Sequence, residues 1–421
     1  MRYLHLYVMA MMLLSGFSGV AQEKNSEVSV KFSGLLRNDF YMDTYKSMNM
    51  TNDLYYYLPN YIGVDANGHD LNQQASVNFL AIESRFTAAV SGPMILGAKS
   101  TGVLEADFAG KPDVYLLRLR KSFIQLNWKN SALLVGQTWH PFGGGNVFPT
   151  VPSVNNGAPF RPFSRTPQIR YDRQTGNLTT SLTALYQHLY VSNGPQGPSS
   201  YYKREALIPE MVLGIDWTKN GLSLGGNIDY NTLKPRIYTT GSNGKTYVSN
   251  EILTSMSYMV YGRYQKKKLT MLFQGFLGRN LAHMSLNSGY GISGYDPSTG
   301  SEKYTNYNGI FSVFNLTYGI KWRPGILLGY AKNLGTSEPL YKFVASGKES
   351  ATVWGTSTTT RNTYRFAPFL SYLESRYSLQ LEYELTAAEW GVGDIDFSNG
   401  LYASYHNTTN HGVRMVMIYN F

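Results

Sequence analysis

A chain of 421 residues with no cysteine, 14% aromatic residues and a net charge of +10 cannot be a disulfide-stapled exported scaffold, and it has no Lys/Arg block of the kind that binds nucleic acid. Past its start it holds no run of the ~18 apolar residues that a transmembrane helix needs, and its mean hydropathy is that of a soluble protein. An antiparallel membrane β-barrel reconciles these facts with the 34 tyrosines and 41 glycines, because only alternate residues of each strand face lipid.

Residues 1–21 form a separate unit. Arg2 is its only charge, Val8–Leu14 is apolar, and Gly19-Val20-Ala21 ends it with small residues before the polar Gln22-Glu23-Lys24. This is the pattern of a cleaved signal peptide, and with no cysteine in the chain a lipid anchor is excluded. The mature protein, 22–421, is expected to be one barrel domain with no plug domain ahead of its first strand. Mass spectrometry of membrane-assembled protein should find a chain starting at Gln22; a retained Met1 would overturn the export argument.

Period-two alternation then dominates. Val28, Val30, Phe32, Gly34, Leu36 and Phe40 share one face, against Arg37 and Asp39 on the other. Leu80, Ile82, Phe86, Ala88 and Val90 are read the same way, opposite Glu83, Arg85 and Thr87. Leu222, Leu224, Ile228 and Tyr230 oppose Ser223, Asn227 and Asp229; Tyr377, Leu379, Leu381, Tyr383 and Leu385 oppose Ser378, Gln380, Glu382 and Glu384. Strands are predicted at 28–41, 79–90, 102–108, 114–128, 132–140, 168–172, 178–190, 208–218, 222–231, 251–264, 269–278, 309–322, 326–332, 363–374, 377–386 and 411–421. That makes an all-β, antiparallel transmembrane barrel of about 16 strands, an even number as closure requires. Tight turns are predicted at Lys129-Asn130, Arg173–Asn177, Lys219-Asn220-Gly221, Gln265–Lys268, Arg323-Pro324-Gly325 and Glu374-Ser375-Arg376. They alternate with long segments at 42–78, 141–167, 191–208, 231–250, 279–308, 333–362 and 386–410, the asymmetry of short periplasmic turns and long extracellular loops.

The final strand places Val413, Met415, Met417, Tyr419 and Phe421 on one face. Tyr419 and the terminal Phe421 resemble the signal read by the outer-membrane assembly machinery, the first expected partner together with the lipid itself.

The segment 141–167 differs from the other loops. It contains six prolines, the Gly143-Gly144-Gly145 run and four phenylalanines, Phe142, Phe148, Phe160 and Phe163. Proline stiffness with apolar content argues for order, and a loop of this length is functional when it is ordered. It is expected to fold into the lumen as the constriction. It carries Arg161 and Arg165 and no acid; Arg170 follows on the next strand, and Arg118 and Arg120 alternate with Leu117 and Leu119 and should point inward. Rings of arginine favour anions. Against this stand Glu83, Glu105 and Asp107, which the same alternation puts inside, where they could pair with the arginines and cancel the field.

GVLEADFAG at 102–110, VYLLRLRKSFIQLNW at 114–128, LLVGQTWHPF at 133–142 and GAPFRPFSRTPQIRYD at 157–172 resemble a porin family of Bacteroidota outer membranes, itself distantly similar to the phosphate-selective porin O/P group. The resemblance implies a passive diffusion channel for small hydrophilic solutes or anions, assembled as a homotrimer in the outer membrane. Two rival readings are a substrate-specific channel, with Phe160 and Phe163 lining a binding site, and a surface adhesion or structural barrel displaying Tyr-rich loops such as Asp53–Tyr61. No HExxH or GxSxG motif points to an enzyme, no cofactor or metal is expected, and the loop acids Asp394 and Asp396 read as solvated charge rather than a calcium site.

Overall fold

The computed structural model describes residues 28–50, 55–110, 116–143 and 147–421. The signal peptide at 1–21 therefore lies outside the described residues, as do Gly144 and Gly145 of the third loop, Val114 and Tyr115 of a predicted strand, and Asp53.

Sixteen antiparallel strands close into one barrel. They are β1 (Ser29–Asp43), a broken β2 (Ser76–Leu80 and Arg85–Ile95), β3 (Ala98–Asp107), β4 (Arg118–Asn127), β5 (Ser131–Trp139), β6 (Arg165–Thr175), β7 (Leu178–Leu185), β8 (Glu210–Lys219), β9 (Leu222–Leu233), β10 (Leu253–Lys266), β11 (Leu269–Arg279), β12 (Ser301–Tyr318), β13 (Trp322–Thr336), β14 (Thr360–Leu373), β15 (Tyr377–Asp396) and β16 (Leu401–Asn420). Each pairs with its neighbour in sequence, and β16 returns to β1 in the register Leu36↔Tyr419 and Phe40↔Met415. Each of the sixteen predicted spans overlaps one of these strands, although 178–190 runs past β7, which ends at Leu185.

Closure removes the edges of the barrel sheet, so backbone N–H and C=O groups are satisfied where no water can reach them. The last rung of the seam belongs to Phe421, whose N–H donates to the Gly34 carbonyl (3.1 Å) while Gly34 N–H donates to the Phe421 carbonyl (3.2 Å). A Cβ on Gly34 would stand 2.5 Å from the Phe421 ring, so the small residue is what admits the ring. Deleting Phe421 removes both seam bonds. The truncated protein is expected to reach the outer membrane at several-fold lower levels on a heat-modifiability gel, and insertion at the normal level would rule out a role for Phe421 in assembly.

The face assignments hold in most strands. Val30, Phe32, Leu36, Leu224, Ile228, Leu381, Met415, Met417 and Tyr419 are exposed on the outside, while Arg37, Asp39, Asn227, Asp229, Ser378 and Glu382 are buried inside. In β10 the pattern is unbroken, with Ser255, Ser257 and Met259 inward and Met256, Tyr258 and Val260 outward. Aromatic belts border the apolar band. Trp322 and Tyr372 meet at a tilt near the turn end (ring centroids 4.8 Å), and Tyr330 and Tyr364 do so further up the same two strands (5.3 Å). Eight residues along a tilted strand cover roughly 20 Å, close to the apolar band of such barrels.

Three expectations are corrected. Leu80 and Ile82 do not share the lipid face with Phe86: β2 breaks at Ala81–Ser84, where Ser84 N–H bonds the Ala81 carbonyl, and the phase slips, leaving Val77 and Phe79 outward and Ile82 inward. Arg323-Pro324-Gly325 is not a turn; the chain reverses at Gly319, whose φ of +124° suits only glycine, and Pro324 lies within β13 opposite Leu370. Parts of the segments 279–308 and 386–410 are strand, because the β15–β16 hairpin and the first part of β12 extend beyond the lipid band at the long-loop end. Both faces are wet there, so hydrophobic alternation disappears while backbone pairing continues.

Candidate pore constriction

The described residues of the segment 141–164 lie inside the barrel. His140 N–H donates to the Ser164 carbonyl (3.0 Å), which joins its two ends. Between them it touches wall strands on opposite sides. Asn227 of β9 donates to the Pro141 carbonyl (2.8 Å), and Arg37 of β1, half a ring away, donates to the Pro152 carbonyl (2.7 Å). Asn315 of β12 both accepts from Thr150 N–H (2.8 Å) and donates to its carbonyl (3.1 Å). Asn155 donates to Glu384 of β15 (3.2 Å), and Arg365 of β14 donates to the Ala158 carbonyl (2.7 Å). Contacts to both β1 and β9 mean that the loop crosses the lumen.

Phe142, Phe160 and Phe163 are buried. Phe142 packs on Phe276, Phe160 lies against Gly329 beneath the Arg365 guanidinium, and Phe163 meets Trp139 and Tyr190 edge-on. A second loop joins them. Tyr56, Tyr57 and Leu58 are buried, and the Tyr57 hydroxyl donates to the Ser285 carbonyl (3.0 Å). Tyr57 and Leu58 therefore turn inward, while Tyr61 at the end of the stretch is exposed. Ser285 in turn donates to the Phe163 carbonyl, and Phe163 N–H bonds the Met284 carbonyl (2.8 Å).

The expected charged residues divide into three groups. Arg118, Arg120, Glu105 and Asp107 come together with Glu83. Arg118 Nη2 is 2.6 Å from Asp107, and Arg120 reaches Asp107 (2.6 Å), Glu83 (2.9 Å) and Glu105 (2.9 Å). A bulge between β3 and β4 leaves Arg120 unpaired in the register between Leu119 and Lys121, and Lys121 then also reaches Glu105 (3.2 Å). The bulge shifts the inward–outward alternation by one residue, so that Leu117 and Leu119 face outward before it and Ile124 after it. Arg170 stands apart, half-buried and paired with Asp172 (2.7 Å).

Arg161 and Arg165 form the third group and, among the described residues, have no carboxylate partner. Arg161 is 1% exposed; it donates to Gln274 (2.8 Å) and the Gly143 carbonyl (2.9 Å) and lies over the Phe148 ring. Arg165 is fully buried among Trp139, Phe163 and Tyr190, with one bond to the Tyr190 hydroxyl (3.1 Å) and no partner for Nε or Nη1 among the described residues. Aromatic faces offset part of the desolvation cost of such cations, but they leave the charge uncancelled.

Sequence reading missed Arg365 and Gln274 as loop anchors, along with the Asp39–Arg37 and Asp39–Arg414 pairs (2.7 and 3.4 Å). Alternation marks each as inward, but only the fold shows what it meets. Asp396 caps its own turn, accepting from Ser398 N–H and hydroxyl (2.9 and 2.7 Å) and Asn399 (2.8 Å), and these bonds hold its carboxyl below the usual range.

No protein-family model matches the chain, and no curated protein matches it in sequence. Solved structures do match its fold. The outer membrane channel DcaP of Acinetobacter baumannii is similar at 16% identity and a TM-score of 0.66, over 96% of this chain and 100% of that one. OmpT, an outer membrane protein of Vibrio cholerae, reaches a TM-score of 0.52 at 10% identity over 95% and 99% of the two chains. An anion-selective porin from Comamonas acidovorans reaches 0.51 at 10% identity over 94% and 100%. With its closed sixteen-stranded ring, apolar outer band and aromatic belts, the chain is an integral β-barrel of the outer membrane.

Proposed function

We propose that the protein is a passive aqueous channel for small hydrophilic solutes, narrowed by the loop 141–167, with a mild preference for anions. One observation carries the reading: the loop crosses the lumen bearing Arg161 and Arg165, which have no carboxylate partner among the described residues. The Arg118–Arg120 wall adds little to this field, because Glu83, Glu105 and Asp107 neutralise most of it. The selectivity therefore rests on the loop, where two fixed charges in a low-dielectric constriction raise the local anion concentration. Two fold neighbours, one an outer membrane channel and one an anion-selective porin, agree with this reading, and a trimer form of OmpT agrees with a homotrimer.

Reversal potentials across a planar bilayer in a salt gradient test it. The wild-type channel is expected to favour chloride over potassium. Replacing Arg161 and Arg165 with Gln should move the ratio toward cations and weaken its dependence on salt, since screening acts on the same field. A cation-selective wild type, or a double variant of unchanged selectivity, would sink the proposal.

A further inference from the structure

At the root of the constriction loop, ionisable side chains from four elements meet out of water. His140 ends the β5 side, Glu210 opens β8, Asp229 lies on β9, and His283 sits in the short turn Ala282–Met284 after β11. Their exposures are 3%, 0%, 0% and 1%. Both imidazoles aim Nε2 at the same carboxylate oxygen, Glu210 Oε1, at 2.9 Å from His140 and 3.1 Å from His283. The rings stand at 68° to each other, and the three ligand-type atoms lie within 4.8 Å of one another.

Hydrogen bonding alone accounts for only part of this cluster. If both Nε2 atoms carry protons and donate to Glu210, Phe142 N–H can donate to His140 Nδ1 (3.2 Å). That arrangement still leaves His283 Nδ1 buried with no partner among the described residues, and it sets Asp229 against Glu210 as two buried carboxyl groups that can bond each other only through a shared proton. Lys203 is the buried cation nearby, but its ammonium is bonded to Asn231 (2.9 Å) and the Thr232 carbonyl (3.1 Å). Two buried carboxyl groups thus lie beside a cation that bonds neither of them, a costly arrangement in a dry interior unless a proton or a metal ion joins them.

We infer that His140, Glu210 and His283 form a binding site for a divalent first-row transition ion, with zinc the best fit and Asp229 its outer carboxylate. Imidazole nitrogens with one carboxylate oxygen suit zinc, whose bonds of about 2.0–2.2 Å set neighbouring ligand atoms roughly 3.3 Å apart. The two imidazole nitrogens already stand near that separation from Glu210 Oε1, at 2.9 and 3.1 Å. The ion would join the root of the constriction loop to the β8 wall and to the segment that grips Phe163 at the loop's other end. No sequence motif signals the site, because its ligands are 70 and 73 residues apart.

The test uses full-length protein purified from outer membranes, stripped with a chelator and titrated with zinc alone or cobalt alone. Bound metal is read by mass spectrometry of the digested protein, and cobalt also by its visible absorption. Wild type is expected to take up about one equivalent and to give the intense bands of tetrahedral cobalt. His283→Gln should abolish both signals, and Asp229→Asn should weaken affinity roughly 10–100-fold, as loss of an outer-sphere partner does. Heat-modifiability identifies folded barrels; if Glu210→Gln does not fold, His283→Gln and His140→Gln decide. Wild type that takes up no more metal than folded His283→Gln overturns the site and leaves a hydrogen-bonded cluster. The readout is metal content, so the result is independent of whether the channel prefers anions.

Discussion

Replacing Arg120 with Ala is expected to destabilise the barrel by about 3–5 kcal/mol, the cost of stranding a buried charge network by removing one partner. Arg120 is 2% exposed and is the one side chain that reaches Glu83, Glu105 and Asp107 together. Without it, three carboxylates face one another with Arg85, Arg118 and Lys121 as their remaining cations. Arg120→Lys keeps the charge but lacks the planar fork that bonds two acids at once, so it should fall between wild type and Ala. Denaturant unfolding of detergent-folded barrel, followed by gel mobility, measures the difference. A loss below about 1 kcal/mol, the value of an exposed pair, would show that water screens the network and that burial in the lumen wall is not what couples these groups.

Leu381→Arg and Gln380→Arg should differ sharply although they are adjacent in sequence. Leu381 is 53% exposed on the lipid face, between Leu370 and Met415 across the two ladders. It lies four residues from Tyr377 at the turn end, roughly 10 Å into an apolar band about 25 Å tall. A charge there costs about 2–4 kcal/mol. Gln380 faces inward beside Ser371 and Ser378, where Arg finds polar partners and the cost should be near zero. Equal losses at the two positions, measured as unfolding midpoints, would mean that the face assignment for β15 is wrong.

Both expectations start from alternation, the property most legible in the linear chain. Leu379 and Leu381 against Ser378 and Gln380 is a local pattern imposed by two solvents, lipid outside and water inside, and it sets strand number, facing and hairpin order without knowledge of any partner. The proline-rich, acid-free character of 141–167 is likewise visible in composition, which is why its inward fold could be expected. Other features needed the third dimension. The break at Ala81–Ser84 turns Ile82 inward, and the bulge at Arg120 brings Arg120 and Lys121 to the same acid; both are matters of register between strands. Charge cancellation around Arg118 and Arg120, the isolation of Arg161 and Arg165 from any described carboxylate, and the meeting of His140 with Glu210 and His283 depend on which strands lie side by side and on where one loop crosses the lumen. The sequence by itself determined an alternating chain that must close into a barrel in lipid, because an unpaired backbone edge is not tolerated there. The tertiary structure alone decided which fixed charges remain uncancelled, because a charge's effect is set by its nearest partner in space.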